Sequence, residues 1–149
     1  MTLSTNTITN SIAALSITGV TIKGIDEIPE GVLERQCPIL YPEPDGFIGN
    51  LEVVPMSFGT AGSGHFDVDY DIKYTFLYKP VGTSRKLLST YPTLLTLALT
   101  IVDKIIISDV VTGAVTLEFA GFENFGIAHD IVGVPFIGTR MLFHVKEFE

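Results

Sequence analysis

A strict alternation of apolar and polar residues between positions 66 and 78 is the clearest pattern in the chain. The even positions carry only apolar or aromatic residues: Phe66, Val68, Tyr70, Ile72, Tyr74, Phe76 and Tyr78. Period two over this length predicts a long β-strand with one buried and one polar face. The glycine-rich segment 59–64 and an apolar segment at 51–56 precede it, which together predict a long β-hairpin.

Apolar residues at helical spacing mark two other segments. The stretch 4–18 predicts a short helix, for which Ser4 or Thr5 supplies an N-cap. A longer repeat predicts the main helix from about Pro92 to Ile106, with a separate turn over 85–88, because proline suits the first turn of a helix and not its interior. The main repeat falls short of the ~20 apolar residues that a membrane span needs, so we interpret it as a core helix.

The remaining apolar segments complete a sheet. Two short ones before residue 42 predict minor strands, and 112–119 and 140–148 predict two further strands. We expect the intervening segment 121–138, rich in glycine and aromatic residues, to form a long loop. This order of elements is that of an α+β domain. The sequence predicts a single domain, 1–149, with an antiparallel or mixed sheet of about four main strands, a long β-hairpin and two helices packed on one face.

Charge and cysteine content narrow the classes of function. Seventeen acidic and nine basic residues give a net charge of -8 in 149 residues. This balance disfavours direct nucleic-acid binding, because phosphate contacts require a lysine or arginine patch. Cys37 is the only cysteine, so the chain has no internal disulfide. Its apolar surroundings raise a thiol pKa rather than lower it, and we interpret Cys37 as a structural residue.

The polar face of the long strand carries His65, Asp67, Asp69 and Asp71, a combination that could suggest a metal site. Alternate side chains on a strand lie about 6.6 Å apart, so one ion reaches two neighbours and not all four. Calcium sites instead use curved loops to bring six or more oxygen ligands together. We therefore expect no metal here and predict a solvated acidic sheet face. If this face lined a channel, it would repel DNA and let it slide.

No segment carries a recognisable catalytic signature. His129 and Asp130 are adjacent, but the members of a catalytic triad meet in space rather than in sequence. The glycines of 59–64 lack the Gly-Lys-Ser/Thr ending of a phosphate-binding loop, and a strand follows them instead of a helix. We predict that the protein is not an enzyme and has no cofactor.

The segment 121–138 is very apolar for a predicted loop. Long loops in compact domains are usually functional or disordered, and this one is too hydrophobic to be simply disordered in water. It either packs back on the core or is covered by another subunit. Because aromatic anchors are typical of protein interfaces, we favour subunit contact.

Several segments together resemble the small tail-terminator and tail-completion proteins of long-tailed bacteriophages. The resemblance runs from about Ile25 to the C-terminus. The segments that carry it are Asp26-Glu27-Ile28-Pro29-Glu30, Tyr41-Pro42-Glu43-Pro44-Asp45-Gly46-Phe47, Ser57-Phe58-Gly59-Thr60, Tyr74-Thr75-Phe76-Leu77-Tyr78-Lys79-Pro80-Val81-Gly82, Tyr91-Pro92, Asn124-Phe125-Gly126 and Val145-Lys146-Glu147-Phe148. The order of helices and strands also agrees with that family.

The resemblance implies a structural role in the tail or neck of the virion, with the protein in the host cytoplasm during assembly. Such proteins form a ring, usually a hexamer, on the end of the completed tail tube. The ring stops tube polymerisation and presents a surface to the head connector. DNA passes through it without specific binding, and the family has no catalytic residues, cofactor or membrane contact to transfer.

A closed ring uses two different patches on each subunit. We predict one patch in the glycine hairpin and the other in the segment 121–138. The predicted contact residues are Phe58, Gly62 and His65 in the hairpin, and Phe122, Phe125, His129 and Phe136 in the segment. The strand face with Asp67, Asp69 and Asp71 is the predicted channel-facing surface.

Other functions remain open at this point. A head-closure or connector-adaptor protein would use a similar small domain at the same junction. A small metal-dependent hydrolase would use the acidic strand face or His129 and Asp130. A ligand-binding domain of the same fold would be a stable monomer or dimer.

Overall fold

The computed structural model describes residues 4–44, 46–57, 64–81, 87–107 and 115–148. Two helices and six strands account for most of these residues, and a short 3-10 turn at Glu34–Gln36 precedes the second strand. The elements in chain order are α1 (Thr5–Ala13), β1 (Thr21–Ile22), β2 (Ile39–Pro42), β3 (Ile48–Ser57), β4 (Gly64–Pro80), α2 (Leu87–Ile107), β5 (Val115–His129) and β6 (Pro135–Phe148).

β4 is the central strand of a six-stranded mixed sheet. One of its edges pairs with β6, which pairs in turn with β5. The other edge pairs with β3 over the first half of β4 and with β2 over the second half. All these pairs are antiparallel, and only the short β1–β2 pair is parallel. The predicted α+β fold with a mixed sheet, four main strands and a long hairpin is confirmed.

One face of the sheet forms the main core beneath both helices. The apolar positions of the β4 alternation from Val68 to Phe76 are fully buried, and so are Met141, Phe143 and Val145 of β6. The inner residues of β4 and β6 are Val68, Tyr70, Ile72, Tyr74, Phe76, Met141, Phe143 and Val145. The helix residues that cover them are Ile8, Ile12, Leu94, Ala98, Ile101 and Ile105. Each such side chain contributes about 1.5–3 kcal/mol by leaving water, so this single-face burial sets the orientation of both helices.

The described residues cover the opposite face of the sheet, which we call the outer face, at one end only. There a second cluster packs against the segment that precedes β2, and its residues are Val32, Ile39, Tyr41, Leu77, Ala128 and Phe136. Towards the other end, the outer side of β4 carries its three aspartates. The sheet therefore has one closed face and one face that is half open.

The predicted loop at 121–138 is wrong, because β5 and β6 extend through almost all of it. Only residues 130–134 connect the two strands. The pairing register shifts between Phe119 and Gly121 and again between Glu123 and Gly126. Each shift moves the apolar residues to the opposite phase of the alternation, so the segment does not show period two in the sequence.

The predicted start of the main helix is also wrong. α2 begins at Leu87, and Pro92 lies inside it. Proline at this position lies beyond the first turn and lacks the N–H that would bond to the carbonyl of residue 88, so the helix continues with one hydrogen bond missing. The ring of Tyr91 lies directly against Gly126 of β5 and packs beside Phe125, with ring centroids 6.3 Å apart. This packing holds the early turns of α2 in place.

The N-cap of α1 differs from the one predicted. Ser4 occupies the cap position, but its side chain makes no capping hydrogen bond. The carboxylate of Glu147, near the end of β6, accepts the Ser4 backbone N–H at 3.0 and 3.1 Å and also accepts the hydroxyl of Tyr70. Burial and this hydrogen bond raise the pKa of Tyr70 far above its ordinary value. Glu147 is only 5% exposed and fastens α1 to the sheet.

Replacing Glu147 with Gln should destabilise the protein by about 1–3 kcal/mol. The amide nitrogen of Gln cannot accept a hydrogen bond, and the negative charge at the start of α1 is lost. Urea unfolding followed by circular dichroism measures the change. Glu52→Gln, an exposed site on β3, is the matched control and should shift the free energy of unfolding by less than about 0.5 kcal/mol. Equal effects of the two changes would contradict the capping role of Glu147.

Candidate functional surfaces

The predicted acidic face lies on the open half of the outer sheet face. Asp67, Asp69 and Asp71 of β4 all point there, because they alternate with the buried residues of the inner face. The two strands that adjoin β4 at this end add side chains to this face: Glu52 of β3 and Lys146 of β6 lie opposite Asp69, and His144 of β6 lies opposite Asp71. Glu118 of β5, the next strand, lies opposite His144. Carboxylates outnumber cationic groups on this surface.

His144 and Asp71 make the closest side-chain contact between β4 and β6 on the acidic face. Nδ1 of His144 lies 2.8 Å from Oδ1 of Asp71, and Nε2 lies 3.9 Å from Oδ2 of Asp69. The other oxygen of Asp71 accepts a hydrogen bond from Asn50 Nδ2 at 2.8 Å. Asp71 is therefore engaged by two strands, which explains its low exposure.

This geometry does not fit nucleophilic catalysis. A catalytic histidine uses one ring nitrogen for an orienting carboxylate and the other for a hydroxyl or thiol. Here both nitrogens of His144 face carboxylates. Within the described parts of the chain, no group of three or more His, Cys, Asp or Glu side chains converges in a way that could hold a metal ion. The acidic face has a negative electrostatic potential, which attracts cations and repels anions near the surface.

Further along the outer face, charged side chains are tied into the fold. Glu43 is buried, accepts the hydroxyl of Thr75, and pairs with Arg140, whose Nε lies 3.2 Å from Oε2 of Glu43. Lys73 pairs with Glu123 at 3.7 Å. These contacts join β2, β4, β5 and β6 and mark the end of the acidic face.

His129 and Asp130 do not form a catalytic pair. The Asp130 carboxylate is buried and accepts the backbone N–H groups of Val32 at 3.3 Å and Val134 at 2.8 Å. A carboxylate held by two amides in this way has a structural role. His129 is exposed at the end of β5.

The aromatic residues predicted for subunit contact have different environments. Phe136 is buried in the second cluster, which leaves no surface for a partner. Phe122 is half-buried between Phe119 and Phe125, with ring centroids 4.9 and 5.4 Å away. Phe125 is 37% exposed at the edge of the sheet. Phe125 therefore remains available to another molecule.

The predicted hairpin patch is described only in part. Phe58 and Gly62 lie outside the described residues. His65 belongs to β4, where it pairs with Met56 of β3. The β3–β4 pairing continues to Ser57 and Gly64, which confirms the hairpin itself.

An exposed aliphatic turn was missed by the sequence analysis. Residues 130–134 connect β5 to β6, and three of them expose large parts of β-branched side chains, with Val132 exposed most, at 66%. Ile131 and Val134 are each 46% exposed, and so is 52% of Leu33, the neighbour of Val32 whose N–H the Asp130 carboxylate accepts. Polar residues normally occupy such turns. In the sequence, this turn is marked by Ile131 and Val132 directly before a glycine, Gly133, which takes a positive φ in the structure.

A second exposed apolar surface runs along α2. Its inner stripe packs on the sheet, but the neighbouring sector of the helix presents Leu95, Leu99 and Ile106 outward. Leu95, Leu99 and Ile106 are 41–48% exposed, whereas Val102 is mostly buried. A shallow, open depression lies beside this outer stripe, and its described lining comes from α2 alone: Thr96, Leu99, Thr100, Val102, Asp103 and Ile106.

α2 also meets the criterion of length and hydropathy for a membrane-spanning helix, contrary to the prediction from the sequence. The stretch Ser89–Ile107 is long and apolar enough to cross a membrane, judged by length and composition only, and 33% of its most apolar part is buried in the protein. The fully buried inner stripe against the sheet is typical of a helix that belongs to a core. The outer stripe still needs an explanation, because monomeric proteins rarely expose a continuous apolar surface.

No model of a known protein family matches this sequence, and no curated protein matches it at significant similarity.

Cys37 is unsuited to nucleophilic chemistry. Burial, followed by the negative charge of Glu34, raises the pKa of its thiol from 9.0 to about 11. The thiolate is the reactive form, and its fraction at pH 8 falls about 100-fold when the pKa rises by two units.

Iodoacetamide at pH 8 should therefore modify Cys37 at least about 100-fold more slowly in the folded protein than in the urea-unfolded chain. Mass spectrometry of quenched samples measures both rates, and the unfolded chain serves as the control with an ordinary thiol. Similar rates in the two states would show that Cys37 is accessible and ionised, contrary to its position in the structure.

Proposed function

We propose that this protein is a structural assembly protein at the head–tail junction of a long-tailed bacteriophage, where several copies form a ring that caps the tail tube. The observation that carries the proposal is the uncovered apolar stripe of α2 on an otherwise acidic protein. It agrees with the resemblance of the sequence to tail-terminator proteins. The ring would join the tube to the head connector.

The apolar stripe supports assembly because it is continuous and almost free of charge. Leu95, Leu99 and Ile106 lie within one narrow sector of the helix surface, given 3.6 residues per turn. A helix that is apolar on two neighbouring sectors is normally covered on both. The sheet covers one sector here, and another subunit would cover the second.

The β3–β4 hairpin supports assembly in a different way. Pairing between β4 and β6 ends at Asp67 and Phe148, whereas pairing between β3 and β4 continues to Ser57 and Gly64. Within the described residues, the end of the hairpin is therefore two-stranded and extends past the described part of β6. An isolated two-stranded arm is marginally stable in water, so contact with another subunit would stabilise it.

The acidic face supports a role in which DNA passes without being held. Asp67, Asp69 and Asp71 lie on one open surface together with Glu52 and Glu118. A surface of this charge repels phosphates, since counterion release on binding requires cationic side chains. Copies arranged with this face towards the ring axis would form a channel with a negative wall.

The capping role can be tested with tail tubes of the phage that carries this protein. We expect the protein to bind tube ends and stop further addition of tube subunits, so that tubes keep a fixed length in electron micrographs. Isolated head-connector rings are the matched control for the alternative role. Binding to connectors and not to tubes would favour a head-closure or adaptor protein, and binding to neither would contradict a function at this junction.

The channel role makes a separate prediction. Asp67→Lys combined with Asp69→Lys should slow the release of DNA from assembled particles several-fold at low salt, because the new cations would contact phosphates, and high salt should restore the rate. Asp26→Lys with Glu27→Lys changes the charge equally at exposed positions between β1 and β2. An equal effect of both pairs on DNA release would show that the acidic face does not line the channel.

A further inference from the structure

We propose that residues 24–37 form a lid over the apolar end of the outer sheet face, and that this lid opens while the sheet and both helices stay folded. The lid connects β1 to β2 and packs on the second cluster. Its opening exposes aromatic and aliphatic side chains that the closed form keeps out of water. The inference concerns a movement within one chain and does not depend on the proposed ring.

The two ends of the lid are fixed side by side. The Thr21 N–H donates to the Pro38 carbonyl and the Lys23 N–H donates to the Leu40 carbonyl, both at 2.9 Å. β1 and β2 pair in parallel at this point. The segment between them therefore leaves the edge of the sheet and returns to it at nearly the same place, which is the arrangement of an Ω-loop. Such a segment can move about its two ends without separating the strands.

Almost all hydrogen bonds of the lid lie within it. Bonds of 2.7–3.1 Å hold its turns, and they join Glu27 to Gly24, Leu33 to Gln36 and Cys37 to Glu34. Among the described residues, the one hydrogen bond from the lid to another part of the chain is that of the Val32 N–H with Oδ2 of Asp130, at 3.3 Å. The internal bonds remain intact when the lid lifts as a unit, and this single contact is lost.

One side chain supplies most of the packing between the lid and the sheet. Val32 is 8% exposed and belongs to the second cluster, whereas Ile28 and Cys37 are only partly buried against it. Apart from Val32 and Gly24, the lid residues are half-buried or exposed. Its charged residues make no ion pair with the described parts of the sheet. A segment with so few buried contacts belongs to the least stable part of a fold.

The helix α1 shows what a firmly attached segment looks like in this protein. Two of its side chains, Ile8 and Ile12, are almost completely buried in the main core. Both carboxylate oxygens of Glu147 accept the N–H at its start, at 3.0 and 3.1 Å. The lid has one buried apolar side chain and one longer hydrogen bond in their place. We therefore expect the lid to open more often than α1 detaches.

The surface beneath the lid keeps its shape without it. Tyr41, Leu77 and Phe136 lie on β2, β4 and β6, and these strands pair directly with one another. The lid also borders the exposed turn at residues 130–134, since a Cβ on Gly31 would lie 3.9 Å from Cγ2 of Val132. Opening therefore joins the uncovered aromatic side chains to the aliphatic turn and creates one larger apolar surface. The closed lid keeps that surface small.

Hydrogen exchange of the whole protein, followed residue by residue by NMR in urea below the unfolding transition, tests the opening. The Val32 N–H should be protected at least about 100-fold less than the amides that join β4 to β6. Its exchange should also be independent of urea, because a local opening exposes little surface, whereas the β4 amides should exchange faster as urea rises.

Matched variants separate local opening from unfolding. Val32→Ala should speed exchange of the residue-32 N–H about tenfold, because the main apolar contact of the lid is lost. It should speed alkylation of Cys37 in the same proportion. Leu33→Ala, at the exposed neighbouring residue, is the control and should change both rates less than about twofold. Ile105→Val, in the main core under α2, should speed the β4 amides several-fold and leave the lid unchanged.

Three results would overturn the proposal. If the Val32 N–H shows the same urea dependence as the β4 amides, or if Ile105→Val speeds both equally, the lid opens only when the whole protein unfolds. If Val32→Ala affects the residue-32 N–H but not Cys37, the lid does not move as a unit. If the Val32 N–H of the wild-type protein exchanges as fast as in an unfolded chain, the closed lid does not form in solution.

Discussion

The alternation along β4 is the constraint on which the rest of the structure depends. β4 is the longest strand, and it pairs with β2, β3 and β6 at once. A slip of one residue in its register would turn Asp69 and Asp71 towards the helices and expose Tyr70 and Ile72. Since the core would lose its largest side chains and bury carboxylates, only one register is stable. The positions of both helices and of the acidic face follow from it.

The parts of the fold that the sequence predicts well are those with an uninterrupted period. The predictions of the two faces of β4 and of the inner residues Met141, Phe143 and Val145 of β6 were correct. In these strands, nearly every residue follows the same alternation of apolar and polar positions. β5 was missed where Gly121, Asn124 and Gly126 take positive φ angles and two bulges shift the register. Bulges change which residues face the core, and a single sequence does not mark where they occur.

The errors at the ends of the two helices have a common physical cause. In each case, a contact from a distant part of the chain supplies the stabilisation that the local sequence was predicted to supply. Ser4 looks like a helix cap, but Glu147 supplies the capping carboxylate from the far end of the chain. Pro92 looks like a helix start, but Tyr91 packs on β5 and supports the turns before it. Among the candidate surfaces, the acidic strand face was predictable from spacing alone. The aliphatic turn was not, because its exposure depends on how Asp130 is held.

The distribution of charge connects the fold to assembly. In the ring that we propose, two opposite requirements would apply: the channel would stay negative, and the subunit contacts would avoid negative charge. Asp130 agrees with the second requirement, since its carboxylate stabilises the turn from inside while Val132 occupies the outer surface. The ring of His144 lies between Asp69 and Asp71, with one nitrogen towards a carboxylate oxygen of each. The sheet thus gathers its like charges on one face, while the turn at residues 130–134 and α2 expose apolar side chains elsewhere.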